Sequence, residues 1–429
     1  MRLQPGEPVH VTLAYGPGDE VAAGRLAIDR GRAFFEYDEA FVASGARINP
    51  AWGQPNRTLI AAKNPRAFKG LHGIFADSLP DAWGIELMRR RLAEQNVSYD
   101  ALNALDRLAL VGTSGAGAVV YRPDYAEHGD GSIDLDALAA GAIELDGTAT
   151  EVVEELALLG GSSGGARPKV FVARNAAGAL IAGSGAIPDG FEAYIVKFRG
   201  SMDRVDIGPL EAAYADMARA AGIEVAPTLL IAATEGPGYF ATRRFDRGPG
   251  NTRIHMLSVA AIIETDWTEP SIDYVQLITA TRGITRDHGY AEQMFRRMVF
   301  NVLAANRDDH TKQHTFLQAR DGAWTLSPAY DLTLSSGPNG EHYLAVNGRG
   351  KNITLADLLA VARETSIKEP RARGVIEDVR AAIADFPARA RAYDVSNATI
   401  AEFKRETGAF NAAPAAATAP PRTGRRPRR

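Results

Sequence analysis

Asn306-Arg-Asp-Asp-His-Thr-Lys-Gln-His314, continued by Thr315–Leu317, Asp321-Gly322, Trp324–Leu326 and Ser327-Pro-Ala-Tyr-Asp331, is the stretch on which the reading of this chain turns. Just upstream, Met294-Phe295, Met298-Val299-Phe300 and Val302-Leu303 are apolar around most of a helical circumference, which predicts a buried helix. Asp321-Gly322 between two short β-rich runs predicts a hairpin. A buried helix thus empties into a polar loop with two adjacent carboxylates. A hairpin follows, and then another carboxylate, Asp331, 23 residues after Asp308. Solvated charges at a helix end would explain each residue singly, but not the ordered series. His310 and His314, beside Asp308 and Asp309, would suit a metal if the loop were helical. The hairpin directly behind them argues against a continuing helix.

Two constellations lie upstream. Gly160-Gly-Ser-Ser-Gly-Gly165-Ala166-Arg167-Pro-Lys169 joins an expected helix, Glu151–Leu159, to a β-like run, Val170–Ala173. It fails the Walker A pattern, because Gly165 is followed by Ala166 and Arg167. Its small residues would still let backbone N–H groups approach phosphate oxygens, and a flexible linker is the competing reading. Lys197 sits in the otherwise apolar run Tyr194–Phe198, where an ammonium costs stability unless it is paired or faces a ligand. Glu211, 14 residues on, opens an expected helix to Ala221 that stops at Gly222. Strand lysine, helix glutamate, loop aspartate and later aspartate is the order in which protein kinases hold ATP, take the hydroxyl proton and bind Mg²⁺. A water-facing edge-strand lysine is the alternative for Lys197 alone.

The remaining sequence bounds the possibilities. At 429 residues the chain is long enough for two or three units. Hydrophobic residues at 45% and charged residues at 23% are globular values. The absence of cysteine excludes disulfides, Cys-ligated zinc, Fe–S clusters and a thiol nucleophile. No apolar run suits a secretory signal or a membrane span, so a soluble, cytoplasmic protein without membrane contact is expected. Net charge is −4, yet residues 411–429 carry five arginines and no acid, leaving −9 on the rest. That gives the body no bulk electrostatic reason to bind nucleic acid, and the Ala/Pro/Arg-rich tail reads as disordered.

The first 150 residues read as mixed α+β. Strands are expected at His10–Ala14, Arg25–Ile28 and Ala33–Tyr37. Asp81 reads as the N-cap of a helix to about Asn96 that carries Arg89–Arg91 on a solvated face, and a second helix runs from Asp100 to Leu110. Gly112–Gly117 precedes a strand, the reverse of a dinucleotide loop, and reads as a turn.

With these residues in place, the chain resembles the HipA toxin kinases of bacterial toxin–antitoxin modules over nearly its whole length, to about residue 410. The markers are Gly73–Asp81, the Ser162–Lys169 loop, Ile195-Val-Lys197, Glu211, Arg244-Phe-Asp-Arg247, Asp308–Gln313 and Pro328-Ala-Tyr-Asp331. The resemblance implies an α+β chain with a two-lobed, protein-kinase-like fold, an added N-terminal α+β subdomain and a mostly helical C-terminal lobe. The units would be an N-terminal subdomain (1–148), a kinase N-lobe (149–245), a helical C-lobe (246–410) and a tail (411–429).

Carried over residue by residue, Asp308 would be the catalytic base and Asp331, with Gln313, the Mg²⁺ ligands. ATP would meet Gly164, Gly165, Ala166, Arg167, Lys169, Lys197, Glu211, His310, Lys312 and Tyr330, with its base at Arg243, Arg244 and Phe245. Ser162 would be the autophosphorylated loop serine, Ser163 being its neighbour. Gln313 stands where the family usually has asparagine. The amide oxygen is kept but reaches one methylene further, so altered metal use is expected. The family further implies transfer of the ATP γ-phosphate to an aminoacyl-tRNA synthetase, glutamyl-tRNA synthetase above all. It also implies a HipB-like helix-turn-helix antitoxin, and operator DNA reached indirectly through it. A small-molecule kinase and a weakly active co-repressor are the alternative functions.

Overall fold

Val9, Val11 and Leu13 alternate with polar neighbours, and that period of two places them on the buried face of a strand. In the computed structural model, which describes residues 3–4, 6–64, 66–143, 150–161 and 164–411, this strand is β1 (Val9–Gly16). A tight turn at Pro17-Gly18, with Gly18 at φ +77°, leads into β2 (Asp19–Asp29). β3 (Arg32–Tyr37), β4 (Ile60–Ala61) and β5 (Val119–Arg122) complete an antiparallel sheet of order β4-β3-β2-β1-β5. The second sheet has the order β7-β6-β8-β10-β9, from β6 (Lys169–Asn175), β7 (Leu180–Ala182), β8 (Phe191–Lys197), β9 (Thr228–Ile231) and β10 (Tyr239–Arg243). The expected hairpin is β12 (Thr315–Gln318) with β13 (Trp324–Leu326). A strand that the sequence reading placed nowhere, β11 (His255–Ser258), pairs with β12.

The arrangement is two-lobed and kinase-like, with an added N-terminal α+β unit. The helix Ile207–Ala220 packs on β9 and β10 and reaches the helical lobe, where the Tyr214 hydroxyl donates to the Ala304 carbonyl at 2.7 Å. This helix begins four residues before Glu211. Gly208-Pro209 reads as a break, but proline is tolerated in a first turn, where no intrahelical N–H bond is lost. The apolar core of the N-terminal sheet is continuous with that of the helical lobe. A second core forms under the β6–β10 sheet, where Trp83 and Leu87 meet the helix Leu135–Ile143. The helix Ala82–Glu94 therefore belongs to the N-terminal unit in sequence and to the second sheet in packing. Its Arg91 is buried against Glu127, contrary to the expectation of a fully solvated arginine face. The Gly112–Gly117 segment is a turn, held by the Arg247 and Arg253 guanidiniums on the carbonyls of Thr113, Gly115 and Gly117.

Three of the buried histidines, His72, His255 and His314, are expected to make this fold acid-labile. Burial lowers His72 and His255 to about 4 and His314 to about 3, from 6.5. The unfolded chain takes up these protons near pH 6.5, and the fold does not. The stability they contribute is complete above that pH and is lost as pH falls toward about 4, and for His314 toward about 3. Unfolding free energies from urea titrations are expected to fall across this window, by about 1.4 kcal/mol per pH unit for each proton linked. A flat profile would refute the assignment.

Candidate active site

The polar loop after the helix His288–Leu303 closes into one short turn, Thr311–Gln313. His310 caps it, its Nδ1 accepting from the Lys312 backbone N–H at 3.2 Å. The two adjacent aspartates part company here. Asp309 is fully buried, its Oδ2 accepting from Tyr274 Oη at 2.7 Å and lying 2.8 Å from His342 Nδ1, while Oδ1 accepts from the Tyr343 N–H at 2.8 Å. Asp308 points into a cavity of about 780 Å³ and is half-exposed, with Gln313 Nε2 at 3.5 Å and His310 Nε2 at 3.7 Å. Burial, and the nearby charges of Asp331 and Asp309, push its carboxyl above the usual range, which His310 only partly opposes.

Every catalytic, ATP and metal residue carried over from the resemblance lines this one cavity, whereas His314 and Asp309 of the rival metal reading do not; Ser162, with Ser163, lies outside the described residues. Lys169 and Lys197 face each other across the β6–β8 ladder. Lys197 Nζ donates to Glu211 Oε2 at 2.6 Å and to Asp331, and Glu211 also holds Arg167 at 3.0 Å. The apolar strand thus carries its ammonium as a paired charge, not facing water. Burial disfavours that ammonium, but Asp331 and Glu211 outweigh it and raise the Lys197 pKa. Burial likewise works to raise Asp331, whereas Lys197 and Lys169 hold it well below the ordinary carboxylate range. Arg244 lines the cavity with its guanidinium committed to Asp246, at 2.9 and 2.7 Å, and stacked over Phe171. The Arg243 guanidinium is on Glu192 at 2.8 Å. Phe245 and Tyr330 lie with ring centroids 5.7 Å apart.

Residues that sequence reasoning did not place in the site also line it. Trp267 packs on His310, centroids 4.9 Å apart, and under the Lys312 ammonium at 5.2 Å. Asp77 accepts from the Ser258 N–H and hydroxyl, both at 2.8 Å. Asp81 makes no side-chain cap bond to its helix, forgoing about 1 kcal/mol. Its carboxylate instead accepts from Lys312 Nζ at 2.8 and 2.9 Å and from the Gly165 N–H at 2.8 Å.

Residues 161–386 match the HipA-like C-terminal domain, and residues 18–122 match the HipA N-terminal domain. The chain belongs to the HipA family. Among solved structures it is similar to HipA of Shewanella oneidensis MR-1, found in a toxin–antitoxin complex with HipB and operator DNA. That likeness has a TM-score of 0.68 and 17% identity, and covers 94% of this chain and 96% of that one. The Helicobacter pylori proinflammatory kinase CtkA matches at a TM-score of 0.32 and 15% identity, over 50% of this chain and 87% of that one. No curated protein matches the chain. No helix among the described residues is long and apolar enough to cross a membrane.

The donor set suits a metal held largely by nucleotide. Among the described residues no three His, Asp or Glu side chains form a metal cage. Mg²⁺ characteristically takes one or two protein carboxylates and completes its shell with phosphate and water. Asp331, with the Gln313 amide oxygen in the same cavity, is a set of that kind.

Proposed function

We propose that this HipA-family chain is an ATP-dependent protein kinase and the toxin of a toxin–antitoxin pair. The observation that carries the reading is the convergence of the paired Lys197–Glu211, the cavity-facing Asp308 and the lysine-held Asp331 in one cleft. Lys197, Lys169 and Arg167 would hold the phosphates. Phe245 and the backbone around Arg243 and Arg244 would take the adenine, since both guanidiniums are already paired. Asp308 would accept the proton of a serine or threonine hydroxyl as the γ-phosphate transfers, its raised pKa suiting a base that works nearer neutrality. Mg²⁺, held by Asp331 and Gln313, would supply charge neutralisation at the phosphates.

The acceptor would be an aminoacyl-tRNA synthetase, glutamyl-tRNA synthetase first, so that transfer arrests translation in the cytoplasm. A HipB-like antitoxin would restrain the chain and connect it to operator DNA. Autophosphorylation at Ser162 would switch it off, because a phosphate there adds about −1.5 to −2 charges to a loop that cradles phosphate. The test is incubation of the full chain with γ-labelled ATP, Mg²⁺ and glutamyl-tRNA synthetase, followed by mapping of labelled peptides on both proteins. Label on a hydroxyl residue of the synthetase is expected. Label on neither protein, with growth unaffected by expression of the chain, would sink the reading.

A further inference from the structure

Gly164 and Gly165 share a peptide bond that is held at both poles. Lys169 Nζ donates to the Gly164 carbonyl at 2.6 Å, and the Gly165 N–H donates to Asp81 Oδ2 at 2.8 Å. Gly165 needs glycine there, with φ at +87°. The same Asp81 carboxylate receives Lys312 Nζ on both oxygens. It comes from the start of the helix Ala82–Glu94, which precedes both lobes of the kinase-like unit in sequence, and it is four-fifths buried by side-chain exposure. Two donors of a phosphate nest, one backbone N–H and one ammonium, thus converge on a single internal anion.

We propose that Asp81 is a further residue of the nucleotide site, whose carboxylate competes with a nucleotide phosphate for the Gly165 N–H and the Lys312 ammonium. The inference rests on the reading of this cleft as an ATP site. Lys312 has three protons and can serve two anions at once; the Gly165 N–H has one and cannot. A phosphate oxygen reaches that N–H only by displacing the carboxylate, and until then it approaches like charge. Burial works to raise Asp81, but Lys312 and the Gly165 N–H hold it below the usual carboxylate range, so it competes as an anion. Asp81 therefore sets phosphate affinity from a part of the chain that ordinary kinase parts do not include.

The experiment compares the full chain with its Asp81→Asn variant by titration calorimetry, using MgATP and adenosine as probes. Asp81 makes no cap bond to its own helix, so the substitution removes no helix contact. Asparagine keeps an acceptor for Gly165 but gives up the charge. MgATP should bind about tenfold tighter or better, the scale of a charge-assisted hydrogen bond, with adenosine affinity unchanged because it has no phosphate. In a Lys312→Met background the gain should shrink to under about threefold, since the ammonium it releases is gone. Equal or weaker MgATP binding by Asp81→Asn, or a gain that adenosine shares or that survives Lys312→Met undiminished, overturns the inference and leaves the ATP reading standing. Failure of both proteins to bind MgATP overturns the two together.

Discussion

Asp308→Asn is expected to cut phosphoryl transfer by about 10²- to 10⁴-fold, the range a positioned general base supplies, while nucleotide affinity stays nearly as it was. The two adjacent aspartates make this a test with an internal control. Asp308 is half-exposed to the cavity, and its nearest polar neighbours, Gln313 and His310, lie at 3.5 and 3.7 Å, loose enough to leave a lone pair for an incoming hydroxyl. Asp309 has both oxygens committed, to Tyr274, His342 and the Tyr343 N–H, with no exposed surface. Asp309→Asn would turn an amide N–H₂ toward donors and leave some of them unpaired. Its expected signature is a loss of about 2–4 kcal/mol of stability, read as a lower melting temperature. Labelled-phosphate transfer and melting curves on both variants separate these outcomes. Transfer lost in Asp309→Asn with the melt unchanged, and retained in Asp308→Asn, would move the base by one residue.

That assignment also shows how far the sequence could be read. Two neighbouring aspartates are equivalent to composition and periodicity; only the resemblance preferred Asp308, and only the fold buries Asp309 among residues 274, 342 and 343. Lys197 was legible because an ammonium in an apolar strand demands a partner, and Glu211 lay within local reach. Asp81 was legible only as an N-cap. An aspartate before an apolar helix satisfies that grammar whichever way its carboxylate turns, and its actual partner, Lys312, is 231 residues away. Trp267 sits in an acidic loop without periodicity, so nothing local connects it to His310. Arg89, Arg90 and Arg91 are alike as letters, but successive residues project about 100° apart around a helix, and that rotation alone sends Arg91 inward. β11 escaped notice for the reason short strands commonly do. Four residues do not establish a period, and its pairing partner lies some 60 positions on.

Asp331→Ala is expected to remove the gain in nucleotide affinity that Mg²⁺ brings, and to slow phosphoryl transfer by about 10²-fold or more, since a catalytic metal supplies several kcal/mol. The environment of Asp331 makes the same substitution act with opposite sign when metal is withheld. Its carboxylate is held by Lys197 and lies within the field of Lys169 and Arg167. Without it these cations meet one anion fewer, and ATP in excess chelator should bind more tightly to the variant than to the parent chain. Lys197 keeps Glu211 at 2.6 Å, so the ammonium is not stranded by the change. Asp331 has φ +54°, where alanine is strained by about 1–2 kcal/mol; Asp331→Asn, which tolerates that conformation, should show the same two signs without the strain. Nucleotide titrations with Mg²⁺ and with chelator provide the comparison. A loss of equal size in both conditions would mean that Asp331 orders the lysines and holds no metal, because losing a metal ligand lowers affinity only when the metal is present.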